Sequence, residues 1–383
     1  MALYLALKEM WRNRGRFILV SLVIALITVL VLFTAALAEG LGSGNREYIQ
    51  KLDADLLVYK EKVDLIIATS RVDRPTYNDI RRVGGVREVG SLSFSNVSIV
   101  LEGSEPLKVA LIGVEPGKPG EPSVRYGSQL RGKRANEAII DSNVAAQSGL
   151  RVGDELTIKS IQGTREELYT LRVAGTSSSQ KYSLQPSVFV PYETFDQIKP
   201  QAVLGGAGGE LASNIVAVKL DNPAGRKLMA ARIQSQVKEV EAVDLQTAYE
   251  STPGYSAQQN TLNTQQYFVF IISILVIGGF FQIQTLQKVA QIGMLKAIGT
   301  PNGVIAVAAA AQIVATTLLG VAIGVVVTLA LSVVIPPVVP IIFSPLSAAL
   351  VIPALILMGP MGGMVSILHS LRIEPLTALG LAS

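Results

Sequence analysis

The chain has 383 residues, 49% of them hydrophobic, with 33 Lys and Arg against 29 Asp and Glu and a formal net charge of +4. A mean hydropathy of +0.43 points away from an ordinary soluble domain and toward a membrane protein with a sizeable water-facing part. There is no Cys and one His, His369, which excludes disulfides, thiolate metal sites and a Cys nucleophile, and leaves the body of the chain without a His-rich metal site or a Ser-His-Asp triad.

Residues 1–16 make a short amphipathic segment, with Leu3, Leu7 and Met10 on one helical face and Lys8, Arg12, Arg14 and Arg16 toward its end. It reads as a solvated basic flank of the first span, a reading compatible with a helix lying on an anionic inner leaflet. Residues 17–41 form the first span, uncharged as far as Leu37 and rich in Leu, Val and Ile. Residues 36–38 fit a signal-peptide cleavage site, but the apolar run is longer than an h-region, so the segment is read as a retained span. Basic residues before the apolar run and Glu39 after it put the N-terminus in the cytoplasm.

Residues 42–265 are read as an extracytoplasmic domain with stalk-like ends, residues 41–52 continuing the first helix despite Gly42 and Gly44. Short β-branched runs bounded by Gly, Pro and Asp predict strands at 53–60, 93–102 and 106–115. A short helix is expected at 77–83, and residues 137–161 read as strand, helix, turn and strand. Further strands are expected at 168–174, 187–190 and 215–220, and an amphipathic helix at 224–237. Strands mixed with a few helices predict an α+β domain of two subdomains. The Gly-rich stretch 205–209 reads as a flexible loop, and the amide-rich stretch 251–266 as an outward extension of the second span.

The second span is placed at 266–286, the third at 304–335 and the fourth at 341–368. Gly320 and Gly324 make a small-xxx-small pair that allows close helix approach. Pro336, Pro337 and Pro340 predict a tight outer turn at 336–340, and Pro353 and Pro360 predict kinks. With the tail at 369–383, every basic inner flank agrees with one topology, both ends inside and the large domain outside. The fold class is thus four transmembrane α-helices with an extracytoplasmic α+β domain inserted between the first and second.

Between the second and third spans, residues 287–303 are different. Lys288 and Lys296 interrupt the apolar run, while Val289, Ile292, Leu295 and Ile298 recur at helical spacing before Gly299 and Pro301. This predicts a short, partly basic helix capped by Gly299 and stopped by Pro301.

The segment KVAQIGMLKAIGTPNGVI resembles the cytoplasmic loop of FtsX-like ABC-transporter permeases, the group that includes MacB-type, lipoprotein-release and haem-export permeases. The C-terminal SLRIEPLTALG is similar to that family's closing signature, and SGLRVGDELTI and VFVPYETF to the outer-domain core of MacB-type members. The opening LALKEMWRNRGRFILVSLVIALITVLV looks similar to the HrtB-like haem-export branch. The resemblance implies a permease subunit of an ATP-driven exporter in a bacterial cytoplasmic membrane, without its own ATPase. It implies pairing of two copies and binding of two ATP-binding subunits that carry ATP and Mg. It also implies transport of a hydrophobic or amphipathic substrate by mechanotransmission, with an extracytoplasmic adaptor as a further partner. On this reading Lys288, Val289, Ile292, Leu295, Lys296, Ile298 and Gly299 couple to the ATPase. The alternative is an FtsX-like regulator that relays ATPase motion to an extracytoplasmic partner without transport.

Substrate contacts are expected near the outer boundary, at Phe33, Glu39, Tyr267 and Phe268. Haem iron takes His, Met, Cys or Tyr, and this zone offers only Tyr48, Tyr255, Tyr267 or a carboxylate such as Glu39. Haem, a lipophilic peptide, a lipid and a drug therefore all stand as substrates. No cofactor, metal site, catalytic constellation or nucleic-acid surface is expected. The stretch 127–134, GSQLRGKR, matches G-x-x-x-x-G-K but has Arg134 where a P-loop needs Ser or Thr.

Overall fold

The computed structural model describes residues 8–101, 103, 105–162, 165–199, 212–335, 339 and 341–373. The loop expected at 205–209, most of the proline turn at 336–340, the first seven residues and the tail beyond 373 lie outside the described residues. In chain order the elements are α1 (Arg14–Gln50), β1 (Leu56–Lys60), α2 (Arg74–Arg82), β2 (Val86–Ile99), β3 (Leu107–Val114), β4 (Val124–Gly127) and β5 (Glu137–Asp141). Next come α3 (Ser142–Ser148), β6 (Glu155–Gln162), β7 (Arg165–Ser177), β8 (Ser187–Pro191), α4 (Tyr192–Ile198), β9 (Ile215–Leu220), α5 (Arg226–Gln236) and β10 (Val240–Asp244). The chain closes with α6 (Leu245–Glu250), α7 (Tyr255–Gln287), α8 (Val289–Ala297), α9 (Asn302–Val334) and α10 (Pro345–Arg372). It divides into two compact units, residues 41–258 and residues 1–40 with 259–383.

The second unit is a helix bundle. Four stretches are long and apolar enough to cross a membrane, Arg14–Gly44, Tyr255–Gln287, Asn302–Val334 and Ala348–Arg372. Their buried sides bring together Val20, Ile24 and Val31 of α1, Ile277 and Phe281 of α7, Ile313 and Val321 of α9, and Leu355 and Met358 of α10. Large apolar side chains such as Leu22, Leu26, Leu275 and Leu329 stay exposed, as a lipid solvent permits. The pair Gly320 and Gly324 lies where α9 crosses α1. A Cβ on Gly320 would stand 2.6 Å from Ile24 Cβ, and one on Gly324 2.5 Å from Thr28 Cβ. Pro353 and Pro360 lie inside α10, which stays continuous across both.

The first unit holds one ten-stranded mixed sheet, ordered β10-β1-β9-β2-β3-β8-β5-β7-β4, with β6 paired to β2 and β7. Only β3–β8 and β5–β7 run parallel among the described pairings. Alternation along β1 feeds two cores: Leu56 and Val58 pack under α2 and α5, while Leu57 and Tyr59 pack on the other side with Tyr48 and Ile49 of α1. A third core lies under α3 and α4, around Leu111, Ile140, Val144 and Phe195. Helices α2, α3 and α6 start at carboxylate caps. Asp73 accepts from the Thr76 amide at 2.9 Å, Asp141 from Val144 at 2.7 Å and Asp244 from Thr247 at 2.7 Å.

The sheet corrects the expectation of two subdomains. The 14-residue β2 pairs with β9 through its first half and with β3 through its second, so it joins what the turn signals separate. The sequence reading also misses β4, α4, β10 and α6, all of seven residues or fewer. Residues 128–136, which carry the P-loop lookalike after its first residue Gly127, form the connection from β4 to the strand β5, with no helix to receive a phosphate.

The end of α1 is seated in the sheet unit. Tyr48 is 1% exposed and meets Phe94 and Tyr182 edge-on at centroid distances of 5.7 and 6.2 Å. Its backbone N–H donates to Lys181 O at 3.1 Å. Glu47 accepts from Lys51 Nζ at 2.7 Å, Ser179 Oγ at 2.9 Å and the Lys181 amide at 3.3 Å. Hydrogen bonds from Lys51 and Ser179, the Lys51 charge and the Lys181 amide outweigh a burial that by itself would raise it, and hold the Glu47 carboxyl below its ordinary value.

Candidate functional site

The link between α7 and α9 is built by its own residues. Helix α7 ends at Gln287, and Lys288 leaves helical geometry at φ −106°, ψ 4°. Helix α8 follows and stops at Gly299, whose φ of +93° is a conformation open to glycine. The Thr300 amide donates back to Leu295 O at 3.0 Å and the Gly299 amide to Lys296 O at 3.0 Å, closing the orphan carbonyls of the last turn. Pro301 then begins α9.

Both lysines face inward. Lys288 Nζ lies 2.6 Å from Glu9 Oε1, donates to Gln312 Oε1 at 3.1 Å and sits 5.2 Å from the Phe17 ring centroid. Gln312 Nε2 donates to Glu9 Oε2 at 2.6 Å, so the three side chains close a ring. Only 14% of the Lys288 side chain and 23% of Glu9 are exposed. The ammonium thus neutralises a carboxylate inside the unit rather than anchoring at a lipid surface. Lys296 Nζ donates to Leu371 O at 2.8 Å and Ile373 O at 3.0 Å, capping the carbonyl end of α10. Helix α8 is therefore tied at one end to the segment before α1 and to α9, and at the other to α10.

Behind α8 lies a cavity of about 560 Å³. Ile292 and Leu295 line it, with Lys288, Glu9 and Gln312 at its polar side and Phe281, Val304, Ile305 and Ile313 among its apolar wall. Thr285 and Ser366 hydrogen-bond to each other beside it, and Ser366 Oγ donates to Phe281 O at 2.9 Å. The stripe Val289, Ile292, Leu295 and Ile298 is not one face. Each three-residue step falls about 60° short of a full turn, so Ile298 ends up opposite Val289. Ile292 and Leu295 look into the cavity, Val289 is half-buried, and Ile298 is 84% exposed.

The residues expected at the outer boundary are dispersed. Phe33 and Glu39 are half-buried on α1, while Tyr267 and Phe268 on α7 are 71% and 61% exposed. A second cavity of about 20 Å³ is bordered by Leu32, Ala35 and Ala36 of α1 with Ile342, Phe343 and Val351. None of the four lines either cavity.

Glu9, Gln312, Thr285 and Ser366 were not singled out by the sequence reading. The one available signal was chemical: past its first residue, Asn302, the helix holds Gln312 as an amide among apolar and small residues, and polar side chains inside spans face other helices.

Comparison with known proteins gives two family matches. The model of the MacB-like periplasmic core domain matches residues 17–236, and that of the FtsX-like permease C-terminal part matches residues 266–375. A putative hemin transport system permease protein, HrtB, of Staphylococcus haemolyticus is 25% identical over 381 residues, covering 98% of this chain and 99% of that protein. An uncharacterized ABC transporter permease of Mycobacterium tuberculosis is 22% identical over 385 residues, covering 99% of each chain. The crystal structure of the extracellular domain of the ABC-type transporter YknZ aligns with 50% of this chain and all of its own, at 13% identity and a TM-score of 0.36.

Proposed function

The chain belongs to the MacB-like, FtsX-like family of ABC-transporter permeases, and from that premise we propose that it is the permease subunit of an ATP-driven exporter. It is a multi-pass membrane protein, and its relatives are ABC permease components. In the proposed assembly two copies pair through their spans and two separate ATP-binding subunits dock from the cytoplasm. The termini and α8 face the cytoplasm, and the sheet unit faces away from it. ATP-driven closure presses on α8, and the spans carry the displacement outward as a rigid-body movement.

The observation that carries this reading is the build of α8. It is a short helix braced at both ends by lysines yet presenting Ile298, 84% exposed, at its tip. An exposed isoleucine on a braced helix suits a groove on a soluble partner. Co-purification with the partner ATPase tests it. Ile298→Asp is expected to weaken the complex about tenfold or more, which is 1.4 kcal/mol per decade, while the free permease keeps its thermal stability. An unchanged complex and unchanged ATP turnover would sink the docking role.

The cargo is proposed to be hydrophobic or amphipathic. Haem is the first probe, because relatives carry hemin transport in their names. A Soret shift on titrating haem into the purified permease supports haem. A flat titration moves the choice to lipids, lipophilic peptides or drugs.

A further inference from the structure

We propose that the cavity behind α8 binds one amphiphile from the adjoining leaflet, a single-chain molecule with a zwitterionic or uncharged head. Its two sides ask for different chemistry. Phe281, Ile292, Leu295, Val304 and Ile305 supply hydrocarbon lining, and Glu9, Lys288 and Gln312 a hydrogen-bonded polar cluster, with further polar lining from Gln284, Gln291, Thr285 and Ser366. Water alone suits only the polar cluster, since apolar cavities of this kind stay dry. A pure hydrocarbon suits only the wall and sets the polar lining, Thr285, Ser366 and the Glu9–Lys288 pair among it, against carbon. An occupant that is greasy along its length and polar at one tip satisfies both.

Charge narrows the class. Lys288 and Glu9 cancel each other at 2.6 Å, and Gln312 bonds to both. An anionic head would face Glu9 and a cationic head would face Lys288, each beside a like charge in a half-buried setting. A zwitterion or a hydroxylated head meets neither penalty. Dimensions agree. The α9 lining runs from Val304 to Ile313, about 14 Å of helix rise, close to half of the roughly 30 Å hydrocarbon thickness of a bilayer. A volume of about 560 Å³ falls in the range of small-molecule sites, about 300–1,000 Å³.

The occupant touches Ile292 and Leu295, so it sets where α8 rests. Under the coupling role proposed above, on which this clause alone depends, occupancy would tune ATP turnover.

The test uses the purified full-length permease without any ATPase, so binding is read independently of coupling. Native mass spectrometry with lysophosphatidylcholine is expected to retain one molecule per chain, and anionic lysophosphatidylglycerol about tenfold less. Ala309→Phe, which extends a ring into the cavity from its α9 wall, is expected to cut retention about tenfold. Equal retention of both lipids, or by a monodisperse Ala309→Phe protein, overturns the proposal. Should that variant fail to fold, photolabelling of the wild type decides. A lysophosphatidylcholine with a diazirine in its chain is expected to label residues between Phe281 and Ile313. Label spread over the exposed α1 positions Leu22, Leu26 and Leu30, or a cavity filled by a second copy and free of label, overturns it. Intact binding with no effect on ATP turnover in the complex would leave the site standing and refute the tuning of turnover by occupancy.

Discussion

Lys288 illustrates how much one charge depends on its surroundings. Removing it by Lys288→Met leaves the Glu9 carboxylate and the Gln312 amide half-buried without their cation, at an expected cost on the order of 2–3 kcal/mol. Neutralising both in Glu9→Gln/Lys288→Met is expected to recover most of that loss, and thermal unfolding of the four proteins in one detergent completes the cycle. A single variant as stable as the wild type would show that the pair contributes nothing. Glu47 gives a pH-dependent counterpart in the sheet unit. Its folded value lies below the ordinary 4.5, so its contribution is present in full above that pH and is lost as the pH falls through the folded value. Glu47→Gln is therefore expected to cost about 1 kcal/mol at neutral pH, with the gap to wild type closing below pH 4.5. Asp141 is linked to Glu47 through Asn143 and Ser179. Burial pushes it up past what its hydrogen bonds hold down, so its own contribution to stability has the opposite pH dependence to that of Glu47. Pulse proteolysis of the sheet unit across pH reads the effect. Little of this was legible beforehand. Lys288 was visible as an interruption in an apolar run, but its partner stands in the segment before α1, and sequence spacing holds no trace of that meeting.

Among the elements, the α1–α9 crossing rests on two missing side chains. With Ile24 Cβ 2.6 Å and Thr28 Cβ 2.5 Å from where a methyl would sit, Gly320→Ala and Gly324→Ala force the helices apart. Each is expected to cost about 1–3 kcal/mol by overpacking. Gly279→Ala is the control, since nothing lies within 4 Å of its added carbon. It should leave the melting temperature unchanged or higher, because Ala favours helix over Gly by about 1 kcal/mol. Equal losses at all three positions would contradict the geometry. The small-xxx-small spacing was readable in the sequence; which helix it met was not. The same limit governs α8. Its existence, its Gly299 stop and its lysines followed from local chemistry, whereas the division of its apolar residues between cavity and surface follows from rotation accumulating over nine residues. Strands with strong β-branched runs, such as β3 and β9, were legible. The edge strand β10 was not, because it has only five residues, two of them the charged Glu241 and Asp244 in no alternating pattern, and its place is fixed by pairing with β1 from the far end of the domain.

Taken as a whole, the molecule folds one contiguous unit, residues 41–258, inside a discontinuous one, residues 1–40 with 259–383. Because the chain has no cysteine, any introduced thiol is the sole reporter of its location. Gln236→Cys, exposed in the sheet unit, is expected to react with a membrane-impermeant maleimide on intact cells, and Ala297→Cys, exposed at the end of α8, only after lysis. The reverse pattern would invert the proposed orientation and remove the ATPase docking surface from reach. Four spans and an inserted domain were legible because hydropathy is a sum over neighbours; the cavity was not, because its walls come from chain positions far apart. The Glu9–Lys288 contact has a bearing on biosynthesis. The carboxylate leaves the ribosome about 280 residues ahead of its ammonium, on the order of 15–60 s at ordinary elongation rates. Throughout that interval the nascent chain must keep an acidic group solvated at the membrane face. The intervening domain has all its described strands in hand well before the bundle can lock, and any transcript cut short before codon 288 yields a Glu9 carboxylate whose counter-ion never arrives.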